Sequence, residues 1–266
     1  MLNRNEITEP MLLPSAGSKL YGSNFDGSLT LRAMTTREEK VRTSATPATF
    51  YEVMRVIIND CIVDNKNPDG TYKIDSANFT DFDFFAVCVK LRIISYGDKY
   101  QTRAICTKCG KEFDYIADLS ALMYNLVPET FVEPYTVGPL PHSGDMLECR
   151  LLRVKDRIDI EKQAQTILAK DPNYIGNPRY LLEMQRRIVS VNGEPLDYIT
   201  AEDYVDHMIG MDSDYYHYYV DKDLDDFGVV RMNMTECQNP VGCDGTAIWM
   251  LRPDKEFFRA VIDGRR

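Results

Sequence analysis

The sequence predicts an α+β protein, with a helical N-terminal part followed by a split module of paired strands that carries a long α/β insertion. Three observations carry this expectation. Apolar residues recur at helical spacing in the first hundred residues. Short alternating segments bounded by turn signals appear further on. Two cysteine pairs, Cys106/Cys109 and Cys237/Cys243, each sit in a turn between two such segments, with 127 residues between the pairs. If the pairs meet in space, the intervening chain is an insertion. The expected organisation is an extended arm and short helix over residues 1–45 and a helical core leading into the first cysteine turn over 46–120. A mixed α/β insertion over 121–228 follows, then the second cysteine turn and a last helix over 229–266.

In the first segment, Pro10, Pro14, Gly17, Gly22 and Gly27 interrupt the apolar residues. Leu12, Leu13 and Tyr21 are too few to fold alone and too many for a solvated tail, so they are expected to fill a groove on a partner. A strand is expected at 28–33, and Thr36 with Glu39 makes a capping box for a short helix. In the second segment, Thr46-Pro47 is a helix start signal. Phe50, Val53, Met54, Ile57, Ile58 and Cys61 follow as one apolar face, and 64–70 is a polar turn. Thr80 and Asp83 open the third helix and Gly97 stops it, with Phe84, Val87, Cys88, Leu91 and Ile94 as its stripe. Asp83 and Arg92 are nine residues apart, about 900° at 100° per residue, so they lie on opposite faces and cannot pair within the helix. Arg92 is expected to bond the last carbonyls or hold another segment, or to contact a partner. Strands at 99–105 and 111–116 flank the first cysteine turn.

The insertion reads as strands at 130–137 and 146–154. A helix over 156–170 turns Ile160, Ala164, Ile167 and Leu168 inward. Another helix spans 178–187, and a hairpin runs through Asn192-Gly193. Thr200 with Asp203 opens a further helix, and 213–226 forms one more. There Tyr215, Tyr216, Tyr218 and Tyr219 flank His217. Four tyrosines in five residues cannot all be core, so part of the group is expected at an interface. Strands at 229–234 and 247–251 flank the second cysteine turn, and Pro253-Asp254 caps a last helix through Phe257, Phe258 and Val261.

Seven cysteines in a chain without a basic-then-apolar leader favour reduced thiols and metal over a disulfide framework. Cys106-Thr107-Lys108-Cys109-Gly110 has the form of a zinc knuckle, whose amides point at the thiolates and whose Gly supplies the tight turn. Cys237 and Cys243 would complete a closed, structural four-cysteine Zn2+ site. The competing ligands are His142, His207, His217 and Cys149, none with a paired spacing; the alternative for Cys106 and Cys109 is a reduced pair in a hairpin turn. A redox role fits poorly, because Gly110-Lys111-Glu112-Phe113 continues as a strand rather than opening a helix. The acidic run from Asp221 to Asp226 fails as a calcium loop: Asp226 stands at the sixth position and Met232 at the twelfth, where Gly and Glu are required.

Composition narrows the function classes. The net charge of −10 argues against a nucleic-acid groove. No apolar run is long enough to span a bilayer. The sequence has no His-Glu-x-x-His, no Gly-x-Ser-x-Gly, no phosphate loop and no dinucleotide fingerprint, so no enzyme class and no small-molecule substrate is indicated.

Two stretches are familiar. Leu13-Pro14-Ser15-Ala16-Gly17-Ser18-Lys19-Leu20-Tyr21, followed by Leu31-Arg32-Ala33-Met34-Thr35-Thr36-Arg37-Glu38-Glu39, resembles the opening of the baseplate hub or baseplate assembly proteins of T-even-type contractile phages. The helix from Asp83 through Arg92 to Ser95-Tyr96-Gly97 is similar to that family's central helix, and the first cysteine turn follows it there too. The likeness covers about residues 11–120 and, loosely, Cys243 to Phe258. It implies a structural protein of the virion tail baseplate, made in the host cytoplasm, whose partners are other tail proteins. The alternatives are an assembly chaperone that leaves before the particle is complete, and a zinc-dependent enzyme with an open metal position.

Overall fold

A computed structural model describes residues 7–21, 25–238, 242–252 and 257–259, with the side chains of residues 18, 19 and 221–226 left out of the description. The protein is α+β, as expected. Strands β1 (Thr8–Leu12) and β2 (Ser28–Arg32) pair antiparallel, with the short helix α1 (Ser18–Tyr21) between them. The expected free arm is therefore part of the protein's own fold. Leu13, Leu29 and Leu31 are buried in the main core, with Tyr21 half-buried against it. The glycines here permit a close approach rather than breaking structure: a Cβ on Gly17 would lie 2.2 Å from the backbone nitrogen of Gly27.

Helix α2 (Thr36–Arg42) is capped by Thr35 with Glu38, one residue earlier than expected. Glu38 decides the register: its carboxylate takes bonds from Thr35 and is buried against Arg32 at 2.9 Å, which Glu39 does not do. A turn held by Thr46 and Thr49 precedes α3 (Phe50–Cys61). Helix α4 (Asp81–Tyr96) is capped by Thr80 and stopped by Gly97 at φ +87°, as expected. Its burial runs almost all round rather than along one stripe, because α3, the β1–β2 hairpin and the chain at Gly228–Val229 pack on it and a four-stranded sheet closes the same core.

That sheet has the order β11-β12-β3-β4. Strands β3 (Lys99–Cys106) and β4 (Glu112–Asp118) form one hairpin. The short strand β5 (Tyr124–Asn125) then leads into the long excursion. Within it, β6 (Tyr135–Val137), β7 (Leu147–Cys149), β8 (Ile188–Val191) and β9 (Glu194–Pro195) make a second sheet. The two strands expected at 130–137 and 146–154 shorten to three residues each: Pro134 has no N–H to give to a ladder, so the first begins only at Tyr135, and a register shift falls at Glu148/Cys149 in the second.

Helix α5 (Val154–Lys170) buries Ile160 and Ala164, whereas Leu168, expected inward, is partly exposed near the helix end. Helix α6 (Pro178–Arg187) has the expected bounds. Helix α7 (Tyr198–Asp206) starts earlier than expected because Asp197 is its cap. Helix α8 (Gly210–Asp226) completes the excursion.

These elements enclose a second apolar core of Val137, Leu147, Cys149, Met184, Ile188 and neighbours. Arg157 fastens α5 to both sides, through Asp81 on α4 at 2.6 Å and Glu183 on α6 at 2.5 Å. The excursion returns through β10 (Gly228–Val229), which pairs with β5, so the outgoing and incoming chains form a stem. Strands β11 (Met232–Glu236) and β12 (Thr246–Met250) are the second hairpin, and β12 lies against β3. The expected last helix falls largely on residues outside those described. Phe257 and Phe258 are described, and both are fully buried in the main core.

Candidate metal centre

The β12–β3 pairing sets Ala247 opposite Cys106 and so brings the turn of each hairpin to the same end of the sheet. Cys106 and Cys109 come from the β3–β4 turn, Cys237 and Cys243 from the β11–β12 turn. Their four sulfurs lie within 4.8 Å of one another. Cys106 to Cys243 and Cys109 to Cys237 are each 3.8 Å apart. A disulfide requires about 2.05 Å, so these are thiols. A tetrahedron with Zn–S bonds of about 2.3 Å has edges of about 3.8 Å. The donor set and its spacing therefore fit a zinc ion, with two edges already at that length.

The surroundings are built for close approach. Cys109 N–H points at the Cys106 sulfur at 3.5 Å, and Gly110 adopts φ +68° to turn the chain back into β4. The two turns are tied by Thr107, whose amide and hydroxyl both donate to the Thr246 carbonyl at 2.9 Å, and by the Lys108–Asp244 ion pair. Gly245 is the residue that cysteine spacing alone missed: a Cβ there would sit 2.9 Å from the Cys106 sulfur and 3.2 Å from that of Cys243. Its sequence signal is the glycine two residues after Cys243. Cys106 is buried in the main core and Cys109 is exposed, so one side of the centre rests on the core and the other faces solvent. The Cys243 thiol is held above its usual range: the Gly245 amide draws it down, but desolvation and the neighbouring Cys106 and Cys109 thiols outweigh that. Several thiolates this close need a cation between them.

The competing ligands lie elsewhere. Cys149 is buried in the second core, His207 is bonded to Asp203 at the end of α7, and His217 stacks on Tyr180. His142 sits on a loop whose amides cap Asp212.

The residues expected to meet partners divide. Leu13 is fully buried and Tyr21 is bonded inside the chain, so both are corrected to core and joint residues; Leu12 is exposed at 52%. Tyr21 donates its hydroxyl to Asp83 and accepts the Thr80 amide at 2.9 Å, while Asp83 also accepts the Ser15 amide at 3.0 Å. Burial raises both pKa values; the Ser15 and Tyr21 bonds pull Asp83 back down, whereas the Asp83 charge pushes Tyr21 further up. Asp83 is thus the joint between α4 and the β1–β2 segment rather than a local cap. Arg92 is corrected likewise: it is fully buried and clamps carbonyls of its own chain, Phe257 at 2.8 Å, Lys99 at 2.7 Å, Arg259 at 2.8 Å, and Gly97. That matches the expectation that it holds another segment and removes it from any interface. Tyr216 is buried in the second core. Tyr218 and Tyr219 are exposed, with Tyr215 half-buried beside them.

Comparison with family models matches residues 9–166, well over half of the chain, to the T4 bacteriophage base plate protein family. The chain belongs to that family. The match extends past the likeness read from the opening and central helix, into α5, and includes Cys106 and Cys109. It stops before α6–α8 and before Cys237 and Cys243. Comparison with curated proteins and with solved structures gives no match. Among the described residues, no helix of this baseplate protein is long and apolar enough to cross a membrane.

Proposed function

We propose that this baseplate-family protein is a structural component of the virion tail, of the hub region, that docks neighbouring subunits and is made rigid by one Zn2+ ion held by Cys106, Cys109, Cys237 and Cys243. Family membership supports the baseplate reading. The observation that carries the zinc reading is the four-sulfur cluster at the joined ends of two hairpins. Bound there, the ion supplies a cross-link and no open coordination position, which favours a structural role over hydrolytic chemistry. It would fix the two hairpins where their turns alone bury little surface. The inner face of the sheet shares the main core with α4, so the cross-link would set the orientation of the outer sheet face relative to that core.

The test joins metal analysis to a protein inventory. Purified protein is expected to hold about one zinc per chain, with Cys237→Ser as damaging to zinc content as Cys106→Ser. Full zinc retention in Cys237→Ser overturns the shared site. Mass spectrometry of purified particles is expected to detect the protein; its absence from particles that required it for assembly makes it an assembly factor instead.

A further inference from the structure

Helix α8 has two faces of opposite character. Asp212, Tyr216 and Val220 recur every four residues and are buried. Met211, Tyr215 and Tyr218 fall at i, i+4 and i+7 on the other side, the spacing of a core stripe, yet Met211 is 61% and Tyr218 67% exposed. The rings form one surface: Tyr215 and Tyr219 are 4.6 Å apart between centroids, and Tyr218 meets Tyr219 edge-on at 5.7 Å. Single exposed aromatics are ordinary; a contiguous group is not.

Charge is concentrated in the same stretch of sequence. From Asp197 to Asp226 the chain carries ten carboxylates and one lysine, Lys222, a net −9 of the −10 for the whole chain. Asp212 is spent internally on the His142 and Ser143 amides. Asp214 on α8 and Glu202, Asp203 and Asp206 on α7 are exposed. The rest of the sequence is nearly neutral, so the net charge belongs to the stretch that forms α7 and α8.

We propose that the Tyr215–Tyr218–Tyr219 face docks a basic, arginine-bearing surface of another tail protein, an inference that rests on the baseplate reading for the identity of the partner but not for its chemistry. A guanidinium stacks on a tyrosine ring while its fork pairs with a neighbouring carboxylate, which a lysine ammonium does with less geometric match. A second copy of this chain would set like charge against like, and nucleic acid is repelled by it. The segment lies outside the family-matched residues 9–166.

The test titrates the full-length, zinc-loaded protein with fluorescent octa-arginine and octa-lysine peptides of equal charge, near physiological salt. Octa-arginine is expected to bind at least about fivefold more tightly. The double variant Tyr218→Ala/Tyr219→Ala is expected to weaken octa-arginine binding by roughly five- to thirty-fold and to erase the preference. Asp203→Asn/Asp206→Asn/Asp214→Asn is expected to weaken both peptides alike. Both variants replace exposed side chains, and unchanged thermal unfolding confirms that they fold. Equal affinity for the two peptides, or an unaffected preference in the tyrosine variant, overturns the proposal. Self-association lost in the same variants overturns it in favour of a second copy. Absence of the wild-type protein from purified particles touches only the baseplate reading.

Discussion

Arg92→Ala tests how the end of the described chain is held. Among the described residues Arg92 forms no ion pair; its guanidinium donates to four backbone carbonyls, those of Gly97, Lys99, Phe257 and Arg259. The bond to Phe257 is fully buried and the other three are partly buried. An acceptor stranded in the interior costs about 1–3 kcal/mol, and one that regains water costs less. The truncation also leaves a cavity under Phe257 and Phe258. Together these give a loss on the order of 4 kcal/mol, a large share of the 5–15 kcal/mol typical of a folded domain. Arg92→Lys keeps the charge but offers three donors from one point in place of a planar fork, and is expected to lose about half as much. Urea unfolding of the zinc-loaded protein measures the loss, and native-state hydrogen exchange reports whether residues 257–259 are released first. A loss below about 1 kcal/mol in Arg92→Ala, or unchanged exchange at 257–259, refutes the clamp.

Three further predictions follow from the same geometry. Gly245→Ala places a methyl group against two of the sulfurs and Lys108, so chelator competition is expected to show zinc affinity lowered by at least about tenfold. Gly210→Ala, which opens onto empty space, serves as the neutral control. Tyr21→Phe keeps the ring but deprives Asp83 of a donor and the Thr80 amide of its acceptor. Thermal unfolding is expected to report about 1–3 kcal/mol lost, and deletion of residues 1–25 a larger loss; a truncated chain as stable as the parent would restore the arm as a free segment. Glu38 gives an acid-limb signature. Burial alone would raise its pKa, but bonds from Arg32 and Thr35 outweigh it and hold the carboxyl at about 2, below the ordinary 4.5. Its contribution is therefore present above about pH 4.5 and is lost as pH falls towards about 2. Glu38→Gln is expected to flatten that part of the stability–pH curve measured by urea unfolding, and an unaltered slope would count against the pairing.

Features that depend on near neighbours in sequence were legible. Thr80 and Gly97 bound α4 and Asn192-Gly193 turned a hairpin, because each is settled by backbone chemistry within one turn. The cysteine turns were legible for the same reason, as local knuckles repeated twice. What local signals could not carry was the use of a polar group at long range. Asp83 sits where a capping box would use it, yet it spends its oxygens on Ser15 and Tyr21, more than sixty residues away. The Gly- and Pro-rich opening read as an arm because glycine signals a break, whereas Gly17 and Gly27 are there so that two backbones can touch. Thr36-x-x-Glu39 and Thr35-x-x-Glu38 are equivalent as patterns, and only Arg32, brought in by β2, separates them.

The two halves of the cysteine cluster are made at different times. Cys243 is polymerised 137 residues after Cys106, which at 5–20 residues per second is a delay of roughly 7–27 s. Throughout that interval a nascent chain has β3 with an open edge and a two-thiol turn at its end. A copy that stops anywhere in the excursion keeps that unfinished edge, and with only two sulfurs it cannot hold the ion as a closed site. With the cluster holding zinc as proposed, metal saturation would record that translation ran to the far hairpin. In an assembly that accepts only correctly shaped subunits, this would sort whole chains from aborted ones before any docking begins.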